Sequence, residues 1–484
     1  MVLSGNTMDI ARQLKQFISA NRVDDSEAKK GIDYYNGKHD ILKNKIYWID
    51  ENGTVREDKN ASNIRIPHAF MTEQVDQKVQ FLLSNPVNVE ADESAQGLQD
   101  ELDKYYDADF NQTLQDLLTS ASQKGFEYLY AQVMPNNRIG FIVADGLKII
   151  PISDDKGNVQ QLLRCWQEIL NINGRKTTVR HAELYDQNTV TYFIAHDNGD
   201  YTIDDSVQPN PRPHVINIVD NGGEPEITGR GLGRIPFFRF KNTYNEETDL
   251  KRIKELIDDY DLMNAFMSNN LQDMSEAIYV LNGEADVSTD EMRMNIKAKK
   301  AVITGGDGNT FDLKTFTIPT EARKTKMDID RENIYKFGMA VDSLQTGDGN
   351  ITNVVIKSRY ELLNMKVNKL ESRVKQLLKW VNELVIADIN RINGTSFTPE
   401  QVEFTLERNM LINEQDQANI DKLEADTLNV NVQALLSVAP YIDSETLVTR
   451  ISELFDFDKD AKEITLSKGL EEYGNDGIGA GATD

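Results

Sequence analysis

The sequence has a single cysteine, no long apolar run and a shortage of positive charge. With Cys165 alone, the chain cannot form an internal disulfide or a multi-thiolate zinc site, and we expect this thiol to be a small buried apolar side chain. No stretch approaches the roughly 18 apolar residues that cross a bilayer. Residues 1–6 lack the basic and then apolar pattern of a secretory signal. We therefore expect a protein without a membrane partner, made and kept in a reducing, aqueous compartment.

The charge balance is strongly acidic. The 484 residues include 53 Lys and Arg against 79 Asp and Glu, a formal charge of −26. Neutralisation of phosphates supplies most of the affinity of proteins that coat DNA without specificity. The composition therefore excludes such coating as a property of the whole surface, and leaves room only for a local basic patch.

Motifs that carry chemistry are absent or incomplete. The pair Gly37-Lys38 is followed by His39, where a phosphate-binding loop needs Ser or Thr. Residues 229–233 are rich in glycine but have the wrong spacing for a dinucleotide-binding loop. Residues 181–183 read His-x-Glu, but no Pro-Cys-x-x-Cys completes a zinc deaminase site. The acidic clusters at 204–206 and 456–460 are interpreted as solvated surface. We predict that the protein is not an enzyme and needs no metal or cofactor.

The first half of the chain predicts an α+β arrangement. Apolar residues at spacings of three and four predict helices over 11–18, 28–35, 70–83 and 98–123. From about residue 128 to 239 the pattern changes to short β-like runs, such as 128–133, 189–194 and 215–219, separated by turn signals. We expect these strands to form antiparallel sheets.

The second half predicts a small head on a helical stalk. An apolar stripe from Leu250 to Met274 predicts a helix, and residues 278–318 follow as a β-rich insert with strands at 278–281, 301–303 and 313–318. Pro319 opens a returning helix to about Phe337. A polar, glycine-containing loop then spans residues 338–353, longer than most connections between helices.

A heptad seam marks the longest predicted helix, over residues 354–391, which Asn393-Gly394 ends. The seam has alternating spacings of four and three and consists of Leu363, Val367, Leu370, Val374, Leu377, Val381 and Leu384. Such a seam is typical either of an intramolecular bundle or of a coiled-coil oligomer. A strand over 401–406, an acidic helical region from about 415 to 470 and a Gly/Ala/Asp-rich end follow.

Four segments resemble a known family. They are Tyr-Tyr-Asn-Gly-Lys-His-Asp-Ile at 34–41, the stretch 63–87 with its Asn-rich entry and Pro-Val ending, the Ile-Pro-Phe to Tyr-Asp stretch at 235–261, and the loop and long helix after Gly338. In this order and spacing they resemble the portal proteins of tailed bacteriophages, of the type in siphophages of Gram-positive hosts. Ser84-Asn85 replaces a glycine-containing pair of the family pattern.

The resemblance implies the portal fold of wing, stem, clip and crown, with long helices and small β modules, assembling as a ring. Its parts would be the N-terminal helical wing (1–120), α/β wing (121–245), outgoing stem helix (246–275), clip (276–319), returning stem helix (320–337), tunnel loop (338–353), long wing helix (354–392), wing return strand (393–414), crown (415–470) and disordered tail (471–484).

The resemblance also implies a function and partners. Twelve copies would form a ring at one capsid vertex of the virion, after synthesis in the host cytoplasm. Double-stranded DNA would be packaged through the channel by the terminase motor and later ejected, without sequence specificity. Capsid and scaffolding proteins would contact the ring, and head-completion or adaptor proteins would join it to the tail. An acidic channel would repel phosphate and so let DNA slide.

Three sets of residues follow as candidate sites. The DNA-facing tunnel loop would use Asp342, Ser343, Leu344, Gln345, Thr346, Gly347, Asp348, Gly349, Asn350 and Thr352. Docking of the motor and adaptors at the clip would use Glu284, Asp286, Asp290, Glu291 and Arg293. The seven seam residues would pack within or between the wings of neighbouring subunits.

Two other classes of protein remain open from the residues. One is a structural adaptor or scaffold that oligomerises through the heptad helix. The other is a metal-dependent hydrolase that uses the acidic clusters.

Overall fold

The computed structural model describes residues 3, 6–22, 24–50, 52–59, 61–172, 174–219, 226–273, 278–282, 310–314, 319–342, 353–408, 414–438, 441, 450 and 454. The chain divides into two compact units. The first comprises Met1–Leu344 and Tyr360–Asn409, and the second comprises Gln345–Arg359 and Met410–Asp484. Everything below concerns the first unit, except the start of the longest helix and the last helix.

The helices follow the predicted order. They are α1 (Thr7–Ala20), α2 (Ser26–Tyr35), α3 (Phe70–Leu82), α4 (Leu98–Leu102), α5 (Ala108–Lys124), α6 (Lys254–Asp273), α7 (Thr320–Gly338), α8 (Asn353–Asn393) and α9 (Glu414–Val438), with 3-10 turns at Asp40–Lys43, Gly146–Lys148, Asp249–Arg252 and Pro399–Gln401. The predicted acidic helix is described as α9. Most of the chain after Val438, including the predicted tail, lies outside the described residues.

The single helix predicted over 98–123 is wrong, because the structure has two. The break follows Leu102, and Asp107 starts α5 as its N-cap: its carboxylate accepts from the backbone N–H of Phe110 at 2.9 Å. Tyr105 lies between the two helices, is buried and donates to Asp388 of α8 at 3.0 Å. The apolar pattern runs on through the break because this core contact continues it. The cap satisfies a free N–H of the new helix and marks the residue at which α5 starts.

The strands form small sheets. They are β1 (Tyr47–Ile49), β2 (Val55–Glu57), β3 (Asn88–Ala91), β4 (Phe126–Val133), β5 (Ile139–Ala144), β6 (Ile149–Ser153), β7 (Val159–Ile172), β8 (Arg175–Tyr185), β9 (Thr189–His196), β10 (Thr202–Ile203), β11 (Arg212–Pro213), β12 (Val215–Val219), β13 (Glu226–Arg230), β14 (Phe237–Lys241), β15 (Ile278–Asn282), β16 (Thr310–Lys314) and β17 (Val402–Thr405). Every pairing between described strands is antiparallel, which confirms that expectation.

Two sheets carry most of the β core. The larger has the order β10-β9-β8-β7-β6 with β11 also on β9, and the smaller has the order β14-β4-β5. Helix α1 covers the larger sheet with Leu14 and Phe17, and Cys165 packs partly buried against the same cluster. Burial raises the pKa of the Cys165 thiol to about 12. Its expected role as a small apolar side chain agrees with this placement.

Helix α8 passes through the core with its predicted seam inward. All seven seam residues are between 0 and 3% exposed in the single chain. The helix ends at Asn393. The next residue, Gly394, has a φ of +68°, which favours glycine, and its N–H donates to the Asn390 carbonyl at 2.9 Å. The return strand β17 then pairs with β3.

Helices α6 and α7 run antiparallel, on either side of the β insert in sequence. Arg323 of α7 donates to the Phe266 carbonyl near the far end of α6, and Lys326 contacts Asp259 nearer its start. Strands β15 and β16 of the insert pair with each other. The second of these begins three residues before its predicted start, and the predicted strand at 301–303 lies outside the described residues.

Candidate functional site

The first half of α6 holds a fully buried carboxylate, Asp261. Its side chain accepts from Nδ1 of His39 at 2.7 Å, from Nδ1 of His68 at 2.6 Å and from the backbone N–H of His68 at 3.1 Å. Helix α6 therefore joins two segments that lie about 200 residues earlier in the sequence.

Both histidine rings are held by hydrogen bonds at their two nitrogens. In His39, Nδ1 faces the Asp261 carboxylate and Nε2 faces the Tyr34 carbonyl at 3.1 Å. In His68, Nδ1 faces the same carboxylate and Nε2 accepts from the amide of Asn264 at 3.0 Å. Asp261 therefore links both rings to α6.

A second polar cluster lies one turn away on α6. The Tyr34 hydroxyl donates to Asp258, and Lys254 contacts both Asp258 and Asp40. Burial raises the pKa of Tyr34, and the Asp258 hydrogen bond raises it further. The hydrogen bond from Lys43, together with Lys254, lowers the pKa of Asp40 to about 2.

The end of α7 is held against α3 by close packing. A Cβ at Gly338 would lie 1.9 Å from the Gln74 side-chain oxygen, so a larger residue there would displace the Gln74 side chain. Gln74 donates to the Ile334 carbonyl at 3.1 Å, and Tyr335 donates to Glu73 at 2.6 Å. The last turn of α7 is consequently fixed before the predicted tunnel loop begins.

The first residues of that loop are fixed as well. Gln77 of α3 donates to the Val341 carbonyl at 2.8 Å and accepts from the Val341 N–H at 3.1 Å. Arg331 holds Asp342 through two hydrogen bonds of 2.8 and 2.7 Å, and the Asp342 side chain is 9% exposed. Lys366 of α8 donates to the Gly338 carbonyl at 2.9 Å.

Asp342 has a partner that the sequence did not predict. The structure places this carboxylate in a largely buried ion pair with α7, because a bidentate arginine offsets the loss of hydration. Whether Asp342 faces DNA stays a prediction, and within the chain it anchors the start of the loop.

The other predicted site residues divide into two groups. The seven seam residues are brought together on the inner face of α8. The loop residues Ser343, Leu344, Gln345, Thr346, Gly347, Asp348, Gly349, Asn350 and Thr352, and the clip residues Glu284, Asp286, Asp290, Glu291 and Arg293, lie outside the described residues.

Sequence reasoning assigned no role to Gln74, Gln77 or Arg331. The two glutamines are three residues apart and so share one face of α3, within a segment that already carried the family resemblance. Polar residues recurring at helical spacing among buried apolar ones were the available signal. Arg331 had no comparable signal, because its partner Asp342 belongs to a loop.

The described part of the chain contains neither a cluster of metal ligands nor a helix suited to span a membrane. Across those residues, no three His, Cys, Asp or Glu side chains are arranged to hold a metal ion. Of the helices described above, none combines the length and the apolar character that a bilayer crossing requires.

Comparison with known proteins identifies the family. The family described as "Phage portal protein, SPP1 Gp6-like" matches residues 14–465. The chain belongs to the phage portal protein family. This confirms both the recognised family and the mixed helix and strand fold expected from it. The phage portal family is structural, so the prediction that the protein is not an enzyme is also confirmed.

Two relatives are portal proteins themselves. The portal protein of Bacillus phage SPP1 is 29% identical over 354 residues, which cover 72% of this chain and 67% of the relative. The portal protein of Clostridium phage phiCD119 is 23% identical over 479 residues, 96% of this chain and 98% of the relative.

Two solved structures show weaker likeness to this portal-family chain. The structure "Neck of empty GTA particle computed with C6 symmetry" is 13% identical with a TM-score of 0.41, covering 79% of this chain and 90% of its own. The structure "Neck of native GTA particle computed with C12 symmetry" is 13% identical with a TM-score of 0.34, covering 78% and 88%.

The segments that carried the resemblance meet in space. The 34–41 segment supplies Tyr34 and His39, the 63–87 segment supplies His68, Gln74 and Gln77, and the segment ending at 261 supplies the buried aspartate. Together they position α6, α7 and the start of the loop. The candidate site of this portal-family protein is therefore a polar junction that holds two antiparallel helices and a loop.

Proposed function

We propose that this protein forms a ring of twelve copies at one capsid vertex of the virion. Double-stranded DNA passes through the ring, inward when the terminase motor packages it and outward at ejection, and the ring joins head to tail. The observation that carries this proposal is the family match over residues 14–465, together with the firm anchoring of the loop that would face the channel.

The anchoring supports a gasket rather than a free surface hairpin. Near the start of the loop, α3 and α7 hold Val341 and Asp342 through four hydrogen bonds. A segment that must touch moving DNA in every subunit needs a fixed start, because its reach determines the width of the opening. Its predicted polar, uncharged residues would make short-lived contacts without sequence readout.

The charge of the chain supports a conduit. Each copy adds a formal charge of −26, so a ring repels phosphate along most of its surface. Ring contacts are heterologous and close by rotation, which requires two different faces on each subunit. We further propose that residues 276–319 dock the motor and the head-completion proteins, and that the wing regions contact capsid and scaffolding proteins.

One specific observation disfavours the adaptor alternative. A coiled-coil oligomer would need the heptad seam at its interface. The seam side chains are between 0 and 3% exposed in the single chain, so they are already used in its own core. The heptad pattern therefore supports no separate oligomer.

Imaging of the purified full-length chain tests the ring. Negative-stain micrographs and native mass measurement should show a closed ring with a central opening. A monomer, or a dimer to tetramer without an opening, would contradict the proposal.

The gasket is tested by the double variant Gln345→Glu plus Thr346→Asp. Two added negative charges per subunit should reduce packaged DNA length or retention while the ring still assembles. The matched control is Gln167→Glu plus Asn171→Asp, which adds the same charges at exposed positions on β7. Equal packaging and retention in both double variants would reject the gasket.

The proposed docking role of the insert has a separate test. Reversal of the charges at Glu284, Asp286, Asp290, Glu291 and Arg293 should weaken motor binding, because rim charges control partner choice and association rate. Unchanged binding of the motor would reject the clip assignment.

A further inference from the structure

A basic pocket of about 280 Å³ lies beside the 3-10 turn Asp249–Arg252, between the end of α7 and the middle of α8. It is lined by more basic than acidic side chains. The basic ones are Lys78, Arg252, Lys366, Lys369 and Arg373, and the acidic ones are Glu247 and Asp249. This concentration of positive charge is notable in a chain whose formal charge is −26.

In the inner part of the pocket, the carboxylate of Asp249 pairs with two lysines. Asp249 lies 2.6 Å from Nζ of Lys78 and 3.3 Å from Nζ of Lys366. Lys78 also donates to the side-chain oxygen of Asn242 at 2.8 Å, and Arg373 donates to the Asn242 carbonyl at 2.9 Å. Two lysines thus share one buried counter-charge.

The outer part has positive charge without a counter-charge. Arg252 and Lys369 are exposed, and neither forms an ion pair with any residue that the structure describes. Glu247 contacts Lys251 instead of these two. The pocket therefore presents a surplus of positive charge at its mouth, which an anion would neutralise.

The pKa of Lys78 responds to the burial of its side chain and to the charges around it. Burial lowers its pKa to about 8; Asp249 opposes the shift, and the neighbouring charges of Lys366 and Arg373 add to it. An anion in the pocket would favour the charged lysine and raise this pKa.

We propose that this pocket binds a phosphate group, either as inorganic phosphate or as a phosphodiester of nucleic acid. Its outer side chains match that chemistry, since a guanidinium fork such as Arg252 pairs with two phosphate oxygens and a lysine such as Lys369 adds a point charge. The pocket is open to solvent and has room for one such group. The site does not depend on ring formation or on the channel.

Calorimetric titration of inorganic phosphate into the full-length protein tests the site. The double variant Arg252→Gln plus Lys369→Gln should bind at least tenfold more weakly, and its melting temperature checks that it folds. The matched control is Arg175→Gln plus Lys176→Gln, which removes two exposed positive charges outside the pocket and should bind like the wild type. If the double variant fails to fold, Lys369→Gln alone is used, with an expected loss of several fold.

Proton exchange gives a second readout. At pH 8, titrations in buffers of different ionisation enthalpy should show net proton uptake on binding, because the bound anion raises the pKa of Lys78. A short DNA duplex forms the second arm. Binding of phosphate but not of duplex, weakened in the variant, identifies a site for the free ion, and duplex competition with phosphate identifies a backbone phosphate.

The proposal is overturned by absence of saturable binding of either probe, or by equal binding in the double variant and its control. It is also overturned if the double variant changes only the assembly state. The pocket would then receive an acidic side chain of a second copy.

Discussion

The buried carboxylate of Asp261 permits a sharp stability prediction, for the change Asp261→Asn. The side chains of Asp261 and His39 are fully buried, and the carboxylate accepts from three donors. Asparagine has nearly the same shape but no charge, and it offers one acceptor oxygen in place of two. The variant would therefore remove the charge that these donors share and direct an amide N–H at one of them.

The expected loss follows from that geometry. Loss of a hydrogen bond to a charged acceptor, with its donor left buried and unpaired, costs about 1–3 kcal/mol. We expect a loss of this size in the free energy of unfolding. The matched control is Glu255→Gln, an exposed carboxylate on the same helix, which should change stability by less than about 0.5 kcal/mol.

Urea denaturation followed by circular dichroism measures the effect, with the midpoints compared at equal slope. A second variant isolates the contact between the two side chains. Adding His39→Gln to Asp261→Asn removes the His39 ring donor as well, so the double variant should lose less than the two single variants added together. The reasoning is refuted if Asp261→Asn shifts the midpoint no further than Glu255→Gln, or if the two single losses simply add.

The remaining predictions concern the seam, the loop anchor and pH. Val374→Asp places an unpaired charge at a fully buried position, so it should cost several kcal/mol of unfolding free energy or abolish soluble expression. The control Gln376→Asp, on the exposed face of the same helix, should do neither, and equal melting curves for the two variants would contradict the prediction. Arg331→Gln removes the bidentate partner of Asp342, so proteolysis after Gly338 should accelerate several-fold without loss of the core circular dichroism signal; an unchanged cleavage rate would contradict the anchor. The pKa of Lys78 is lowered from 10.5 to about 8 in the folded protein, so between these pH values the unfolded chain binds more protons than the folded one. The free energy of unfolding, relative to that of Lys78→Met, should therefore rise by up to about 3 kcal/mol from pH 8 to 10.5. A difference in denaturation midpoint that stays flat or falls over this range would contradict the prediction.

Local patterns predicted most helices of this protein correctly. The seam of α8 placed a helix over 354–391, and the structure has Asn353–Asn393. Pro319 and Asn393-Gly394 predicted one helix start and one helix end, since proline favours the first turn and glycine adopts the positive φ after the last. These features depend on residues within a few positions of each other, so the sequence alone carries them.

Periodicity alone could not reveal the break between α4 and α5. Tyr105 continues the apolar pattern because it packs against α8, 283 residues later at Asp388. Asp107 was the local signal for a new helix, and it was outweighed by the run of apolar residues around it. The contact between Tyr105 and α8 thus explains an apolar residue that, in the sequence, looked like part of one continuous helix.

The candidate site was decided by tertiary structure. Family motifs in the sequence marked the segments that contain His39, His68 and Asp261, but their side chains meet only because α2, α3 and α6 pack together. The same packing gives Asp342 a buried partner that the sequence did not predict, since Arg331 reaches it across the end of α7. Burial determines which charges need partners, and burial depends on the arrangement of whole elements. Sequence therefore determined which residues were available, and the fold determined which of them are paired and buried.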